Sequence, residues 1–389
     1  MSPRPKAIIA HPLWGRGGAE AAAMWIIEAL LQDFDVTVYT RGGFDLCALN
    51  EIAGLRLSPE RIALRVANGA NAWPLGALAH GAFLRSLEEV GSGFDLRVTA
   101  SGVCHWGRSA IHFLSSVTWN DALAARFERR GDAGLARDAL RRLSGAISQA
   151  SKRSLRGDLF IANSRWTARQ SAPFCPGPLE VVPPAVPLLK PGSSWAAREN
   201  GVLVLGRLSP EKRIETCIEI VEGLRAKGKP LILHIVGPEG GRNYAARIDD
   251  LRQARSDWIE CLPLVVGAAK QDLLGRFRYG LSACEIEAFG IATAEMAAAG
   301  MVVFAPEDGA QGEILEDPRQ RYRSVADAVE RLSAVLDNEP LQHELHTSAL
   351  GARGRFAPRR FVEAVRALAK RFVGSSCASS SSIPAQQQA

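Results

Sequence analysis

Glu287 and Glu295, with seven residues between them, flank the turn Phe289-Gly290-Ile291 in the run Cys284-Glu-Ile-Glu-Ala-Phe-Gly-Ile-Ala-Thr-Ala-Glu-Met-Ala-Ala-Ala-Gly300. The Ala-rich half reads as a helix that opens after the turn and ends at Gly300. A helix start presents free N–H groups and a partial positive charge, which suits oxygen-rich ligands such as phosphates and sugar hydroxyls. Helical side chains lean back toward the N-terminus, so Glu295 reaches the same mouth that Glu287 approaches from the loop. A sugar joined to a nucleotide would offer hydroxyls to the carboxylates and a diphosphate to the amides. An ordinary loop and a buried helix with two surface acids would produce the same letters.

Two cations accompany the acids. In Gly206-Arg-Leu-Ser-Pro-Glu-Lys212, which follows a strand and opens a helix, Arg207 is a forked donor and Lys212 a point charge, a pair suited to two phosphate groups. By themselves they read equally as solvated charges at an exposed helix start. The acidic loop later in the same α/β array gives them weight, because ligands of such sheets sit beyond the carboxyl ends of the strands. The first loop of the chain carries Gly15, Gly17 and Gly18, but Glu20 stands where the dinucleotide fingerprint needs its third glycine, and the second strand ends in Arg41 rather than an acid. No Walker A pattern occurs. What remains is a Gly-rich strand-to-helix turn, either a simple tight turn or a place where backbone approaches a ligand.

These residues need a scaffold, and the pattern predicts one. Residues 7–10 and 36–40 read as strands around a helix over 19–32, with further strands at 96–99, 111–114 and 159–162. Prolines crowd 172–194 and mark an inter-domain linker around Val181-Val182. A second array begins at the strand 201–205. A helix over 210–226 follows, with Ser209 as N-cap and Pro210 at its first position, then a strand at 231–236, a helix at 243–254 and a strand at 302–304. The expected division is a first α/β domain over 1–185, a second over 186–356, a C-terminal helix over 357–373 that crosses back to the first domain, and a Ser- and Gln-rich disordered tail over 374–389. Between the domains' strands, residues 121–156 are Arg-rich and helical in pattern, read either as a solvated face or as a contact for anionic lipid.

Composition sets the outer limits. A chain of 389 residues, 47% hydrophobic and 23% charged, fits two globular domains. The net charge of +6 favours an anionic partner without choosing among nucleotide, membrane surface and nucleic acid. The scattered cysteines form no CxxC pair, which argues against disulfides or a zinc site and for a reducing compartment. No run approaches the roughly 18 apolar residues of a membrane span, and the N-terminal apolar run is too short for a signal peptide, so the expected location is cytoplasmic.

Gly-Gly-Ala-Glu in the first loop, Asn163-Ser164, Gly206-Arg207 with Lys212, and the Glu287-x7-Glu295 block resemble the GT-B glycosyltransferases, and within them the retaining family 4. The run from Arg278 to Gly300 is similar to the dolichol-pathway α-1,2-mannosyltransferase branch and its bacterial relatives, which use GDP-mannose. The resemblance implies two doubly wound Rossmann-like domains facing across a cleft. It also implies transfer of a sugar, mannose favoured, from a GDP- or UDP-linked donor to a saccharide or lipid-linked acceptor. Arg207 and Lys212 would neutralise the leaving diphosphate. Glu287 would hold the sugar hydroxyls with help from the amides at Phe289, Gly290 and Ile291, and Glu295 the ribose. Gly17 and Gly18 would let the first loop approach diphosphate and acceptor. His112 would sit near the transferred sugar, although a satisfied core histidine would produce the same short His-Phe segment. Where the family usually has Gly-Gly-x-x-Glu, this chain has Asp308-Gly-Ala-Gln-Gly-Glu313, and Glu285 adds a third acid. Asp33-Phe-Asp35 has the form of a metal-binding Asp-x-Asp but reads as structural, and no metal, cofactor or nucleic-acid partner is expected beyond the donor itself. Peripheral contact with an anionic membrane is the remaining partner. An epimerase or hydrolase of nucleotide sugars, or a donor-binding scaffold without catalysis, are the alternatives.

Overall fold

A computed structural model of the chain describes residues 3–67, 76–116, 123, 155–187 and 193–380. Two parallel sheets organise it. The first joins β1 (Lys6–Ala10), β2 (Asp35–Thr40), β3 (Ile62–Val66), β4 (Leu96–Thr99), β5 (Ile111–Leu114), β6 (Leu159–Ala162) and β7 (Leu179–Val181) in the order β3-β2-β1-β4-β5-β6-β7. The second joins β8 (Glu199–Leu205), β9 (Ile232–Val236), β10 (Ile259–Leu262), β11 (Phe277–Leu281), β12 (Val302–Pro306) and β13 (Arg321–Tyr322) in the order β10-β9-β8-β11-β12-β13. Both are doubly wound Rossmann-like sheets whose strand order reverses beside the first strand, and the crevice at that reversal is where such sheets hold ligands. The apolar runs that read as strands do so because parallel strands are covered on both faces: β1 is buried from Ala7 to Ala10, and β4 and β5 throughout.

The Pro-rich stretch is not a bare linker. Leu179–Val181 pairs with Phe160–Ala162 as the last strand of the first sheet, which prolines on both sides permit because β7 is an edge strand with one free flank. The chain then crosses to the second domain and crosses back near Phe356, and the two crossings run side by side, Val186 N–H donating to the Phe356 carbonyl at 2.9 Å. Beyond the second crossing, the helix Pro358–Ser380 packs on the helix Gly18–Leu30 of the first domain, setting Phe361, Val365, Leu368 and Ala369 into a core shared with Met24 and Ile27. Burying each large apolar side chain there contributes roughly 1.5–3 kcal/mol, which holds the terminal helix to a domain distant in sequence. This helix runs seven residues past the expected limit at 373, into the segment read as disordered. Once nucleated on a packed face, a helix propagates through Ala and Ser at little cost per residue. Asp33 receives Arg366 at 2.8 Å and Lys370 at 2.9 Å from it, so the Asp-x-Asp of the sequence is a structural anchor. Of the Arg-rich stretch 121–156, only Leu123, Leu155 and Arg156 lie among the described residues. No helix among them is long and apolar enough to cross a membrane.

Candidate active site

A cavity of about 460 Å³ lies between the domains, walled on one side by the loops after β8 and β11 and on the other by the first Gly-rich loop. For the site, α1 denotes the helix Gly18–Leu30, α2 Arg165–Ser171, α3 Ile214–Ala226, α4 Gly267–Arg276, α5 Ile291–Ala298 and α6 Pro358–Ser380. Val182 and Pro184 of the first crossing and Phe361 of α6 contribute to its lining as well.

The loop after β8 departs from the sequence pattern. Instead of one helix over 210–226, a short 3-10 turn at Pro210–Lys212 is followed by Arg213 in the left-handed region (φ 50°), and only then by α3. Ser209 makes no cap bond, and its hydroxyl donates instead to Glu211 Oε1 at 2.6 Å. Among the described residues Arg213 is the one non-glycine with positive φ. That conformation costs roughly 1–2 kcal/mol, and it lets successive side chains reach the facing acidic loop: Lys212 Nζ lies 2.5 Å from Glu287 Oε2, and Arg213 pairs with Glu285. The third acid of that loop is thereby accounted for as the partner of Arg213. Arg207, in the same loop, is exposed on the cavity wall with no carboxylate pairing among the described residues.

The loop after β11 delivers the acids. Phe289 is buried and packs edge-on against Phe356 at 5.3 Å, so its side chain anchors the loop while its backbone lines the cavity. Gly290 (φ 97°) caps α5 in a conformation that a β-carbon would strain, and it has no side chain to shield the first amides of the helix, where Ile291, Ala292 and Thr293 line the cavity. Glu295 is one turn inside α5, 7% exposed, and Lys270 Nζ of α4 meets its Oε1 at 2.5 Å. Lys270 also lines the cavity and was not singled out in the sequence. A signal existed: a lysine near the start of a helix runs against the helix dipole and calls for an acidic partner nearby.

Electrostatics follows from these contacts. Burial works against the charge of Lys212, but the adjacent Glu287 carboxylate outweighs it and holds the amine's pKa above its ordinary value. Burial, with Glu287 alongside, pushes the Cys284 thiol up to about 12, so it stays protonated. The segment Asp308–Glu313 braces the acids rather than facing the cavity. Ala310 N–H donates to the Glu287 carbonyl at 2.8 Å, buried Gln311 bridges the Cys284 carbonyl and the Thr293 hydroxyl, and Glu313 turns to the first domain.

On the opposite wall Gly17 caps α1 in extended backbone, so a left-handed conformation is not what a glycine supplies there. Space is. A β-carbon on Gly17 would stand 2.9 Å from Glu20 Oε2 and 3.5 Å from Arg207 Nη2, and one on Gly18 would stand 3.0 Å from Ile291 Cδ1. Glu20 pins the loop by accepting from Gly15 N–H at 3.3 Å. Arg16 sits exposed at the cavity's edge.

His112 stands apart as a core histidine. It is fully buried, with Nε2 2.7 Å from Asp158 Oδ2 and Nδ1 3.2 Å from Thr99 Oγ1. Because β5 is covered on both faces, its ring is held in the first domain's interior, and Phe113 and Leu114 are what that strand gives to the cavity. Arg207, Lys212, Glu287, Glu295, Gly17, Gly18 and the turn Phe289-Gly290-Ile291 all line one cavity, and His112 does not.

Residues 188–350 match the family described as glycosyl transferases group 1, a segment that contains Arg207, Lys212, Lys270, Glu287 and Glu295. No curated protein matches the chain in sequence. The chain is similar in structure to HepE of Anabaena in complex with UDP and glucose, at a TM-score of 0.68 and 14% identity over 95% of this chain and 100% of that one. It is similar to WaaG, a glycosyltransferase involved in lipopolysaccharide biosynthesis, at 0.67 and 16% over 93% and 99%. It is similar also to sucrose-phosphate synthase from Thermosynechococcus elongatus, at 0.70 and 14% over 96% and 100%. At these identities the likeness is one of fold, and the fold is GT-B.

Proposed function

We propose that the protein is a retaining glycosyltransferase that moves a hexose from a nucleotide-sugar donor to a saccharide or lipid-linked acceptor. The observation that carries this reading is the convergence of Arg207, Lys212, Glu287, Glu295 and the open start of α5 on one cavity wall, opposite a Gly-rich loop of the other domain. The glycosyl transferases group 1 match over the second domain supports it. The donor's sugar and base are read from resemblance: the run Arg278–Gly300 favours mannose and GDP, whereas HepE was crystallised with UDP-glucose, so both bases belong in the test.

In this reading the donor diphosphate lies against Arg207, Lys212 and the amides of α5. As the sugar–phosphate bond breaks, negative charge grows on the β-phosphate, and these fixed positive groups oppose it where it develops. Glu287, oriented by Lys212 at 2.5 Å, accepts from the sugar hydroxyls, and Glu295 from the ribose. The acceptor enters from the side of Gly17 and Gly18, and its hydroxyl attacks the face that the phosphate leaves, which retains the anomeric configuration. A double displacement through Glu287 is disfavoured, because that carboxylate is committed to Lys212 and the hydroxyls rather than the anomeric carbon. Association with an anionic membrane surface would bring a lipid-linked acceptor to the cleft.

The test is product analysis with GDP- and UDP-sugars, with and without a membrane lipid extract. Acceptor-dependent nucleotide release that is lost in Glu287→Ala and in Arg207→Ala is expected. Wild-type rates in both variants would remove the site, and a changed sugar without acceptor would replace transfer by epimerisation.

A further inference from the structure

The loop that carries Glu287 is gripped by the other domain. Ser164 and Thr167, at the start of α2 in the first domain, are 1% and 0% exposed, and both hydroxyls donate to one acceptor of the second domain, the Ala288 carbonyl, at 2.6 and 2.9 Å. Beside them the backbone N–H groups of Arg165 and Trp166 donate to the two carboxylate oxygens of Glu313 at 2.9 and 2.7 Å. The indole of Trp166 packs with Ile286, Ala288 and Ala310. The carbonyl of Glu287 is held from within its own domain by Ala310, and the next carbonyl along the chain is held from across the cleft.

We infer that Ser164 and Thr167 are positioning residues for Glu287: through the Ala288 carbonyl they fix the acidic loop only when the two domains meet as they do here. The inference rests on Glu287 serving the donor sugar. The alternative, that the hydroxyls merely satisfy their own helix, covers Ser164 in part, since its oxygen also accepts from Thr167 N–H at 2.9 Å as an N-cap. It does not cover Thr167, whose hydroxyl leaves the first turn of its helix for a carbonyl of the other domain. A doubly satisfied carbonyl beside a substrate-binding carboxylate restricts that loop more than either bond alone, and losing both donors leaves a buried oxygen unpaired.

Thr167→Val keeps the shape and removes the donor, Thr167→Ser restores a donor, and Ser164→Ala/Thr167→Val removes both. Two measurements on the full chain are combined. The first is hydrogen exchange without ligand in peptides spanning 163–167 and 308–311, whose amides bond across or beside the contact. Exchange there is expected to rise several-fold in Thr167→Val and further in the double variant, to stay near wild type in Thr167→Ser, and to leave the β9–α3 region unchanged. The second is release of GDP from GDP-mannose or UDP from UDP-glucose. kcat is expected to fall about tenfold in Thr167→Val with donor KM within about twofold, and Thr167→Ser to recover it. Unchanged exchange in both valine variants, exchange that rises evenly over the whole chain, or a loss confined to KM would overturn the inference. Absence of turnover in the wild type would instead remove the transfer reading, and the exchange measurement would still decide the clasp.

Discussion

Glu295 and Lys270 form a pair with side chains only 9% and 18% exposed, at the cavity wall where a ribose would come. A buried carboxylate left without its partner costs about 1–3 kcal/mol, so Lys270→Met is expected to lower the free energy of unfolding by that amount. Nucleotide affinity is expected to weaken about tenfold, because an unsupported side chain at 295 is no longer held toward the hydroxyls. Lys270→Met/Glu295→Gln separates the two effects: the double variant should regain most of the stability and none of the affinity, as read by denaturation and by titration with GDP and UDP. If GDP and UDP binding returned together with stability, Glu295 would not serve the ligand. At this scale the gathering of the acids with the cations Arg207 and Lys212 around one cavity was legible from their types and spacing, because few side chains suit phosphate and hydroxyl ligands. Lys270 was missed because its partner lies on another helix, and His112 stayed open between two readings because a strand's sequence does not tell a cavity-facing ring from one sealed inside a parallel sheet.

Between elements, the acidic loop depends on a neighbour that was read only as a departure from family pattern. Gly309 has φ 85°, and a β-carbon there would stand 2.9 Å from Glu287 N and 3.0 Å from the carbonyls of Glu285 and Glu287. Left-handed backbone costs a side-chain-bearing residue roughly 1–2 kcal/mol, and the contact pushes the loop that presents Glu287. Gly309→Ala is therefore expected to cost about 2 kcal/mol and to slow turnover at least about tenfold. Gly354→Ala, where a β-carbon meets nothing within 4 Å, serves as the control and should leave both unchanged. A rate for Gly309→Ala equal to that of the control would show that the segment does not brace the site. Most strands and helices were legible because hydrophobic runs and helical stripes report burial directly. The strand at Leu179–Val181 was not, since prolines hide an edge strand whose partners lie earlier in the chain. Nor was the break at Arg213, since Ser-Pro-Glu reads as a helix start and only the facing acids make the left-handed turn worthwhile.

For the whole molecule, the chain ends by strapping its last helix onto its first domain, and the polar part of that strap has a direction in pH. The Asp33 carboxyl is held at about 2 rather than 3.8, chiefly by its hydrogen bond from Arg366, against partial burial, with Lys370 adding to it. A folded-state pKa below the unfolded one contributes stability that is present above roughly pH 4 and lost as pH falls from there through about 2. The pair is near the surface, so its worth is under about 1 kcal/mol, while the apolar face of Phe361, Val365 and Leu368 carries the rest and does not titrate. Urea unfolding of wild type and Asp33→Asn, followed from pH 6 down to pH 2.5, checks this. The wild type should be the more stable at pH 6, and the gap should narrow progressively below pH 4, with salt shrinking it at every pH. A gap that is constant across the range, or that widens in acid, would mean that the anchor contributes through packing and not through its charge. Since the two chain crossings bond to each other at Val186 and Phe356, and Phe356 packs on the cavity-lining Phe289, loosening the strap should also reach the cleft. Asp33→Asn is expected to weaken GDP or UDP binding by no more than about twofold at pH 7, whereas Phe361→Ala, which opens the shared core, is expected to weaken it further and to cost about 3 kcal/mol.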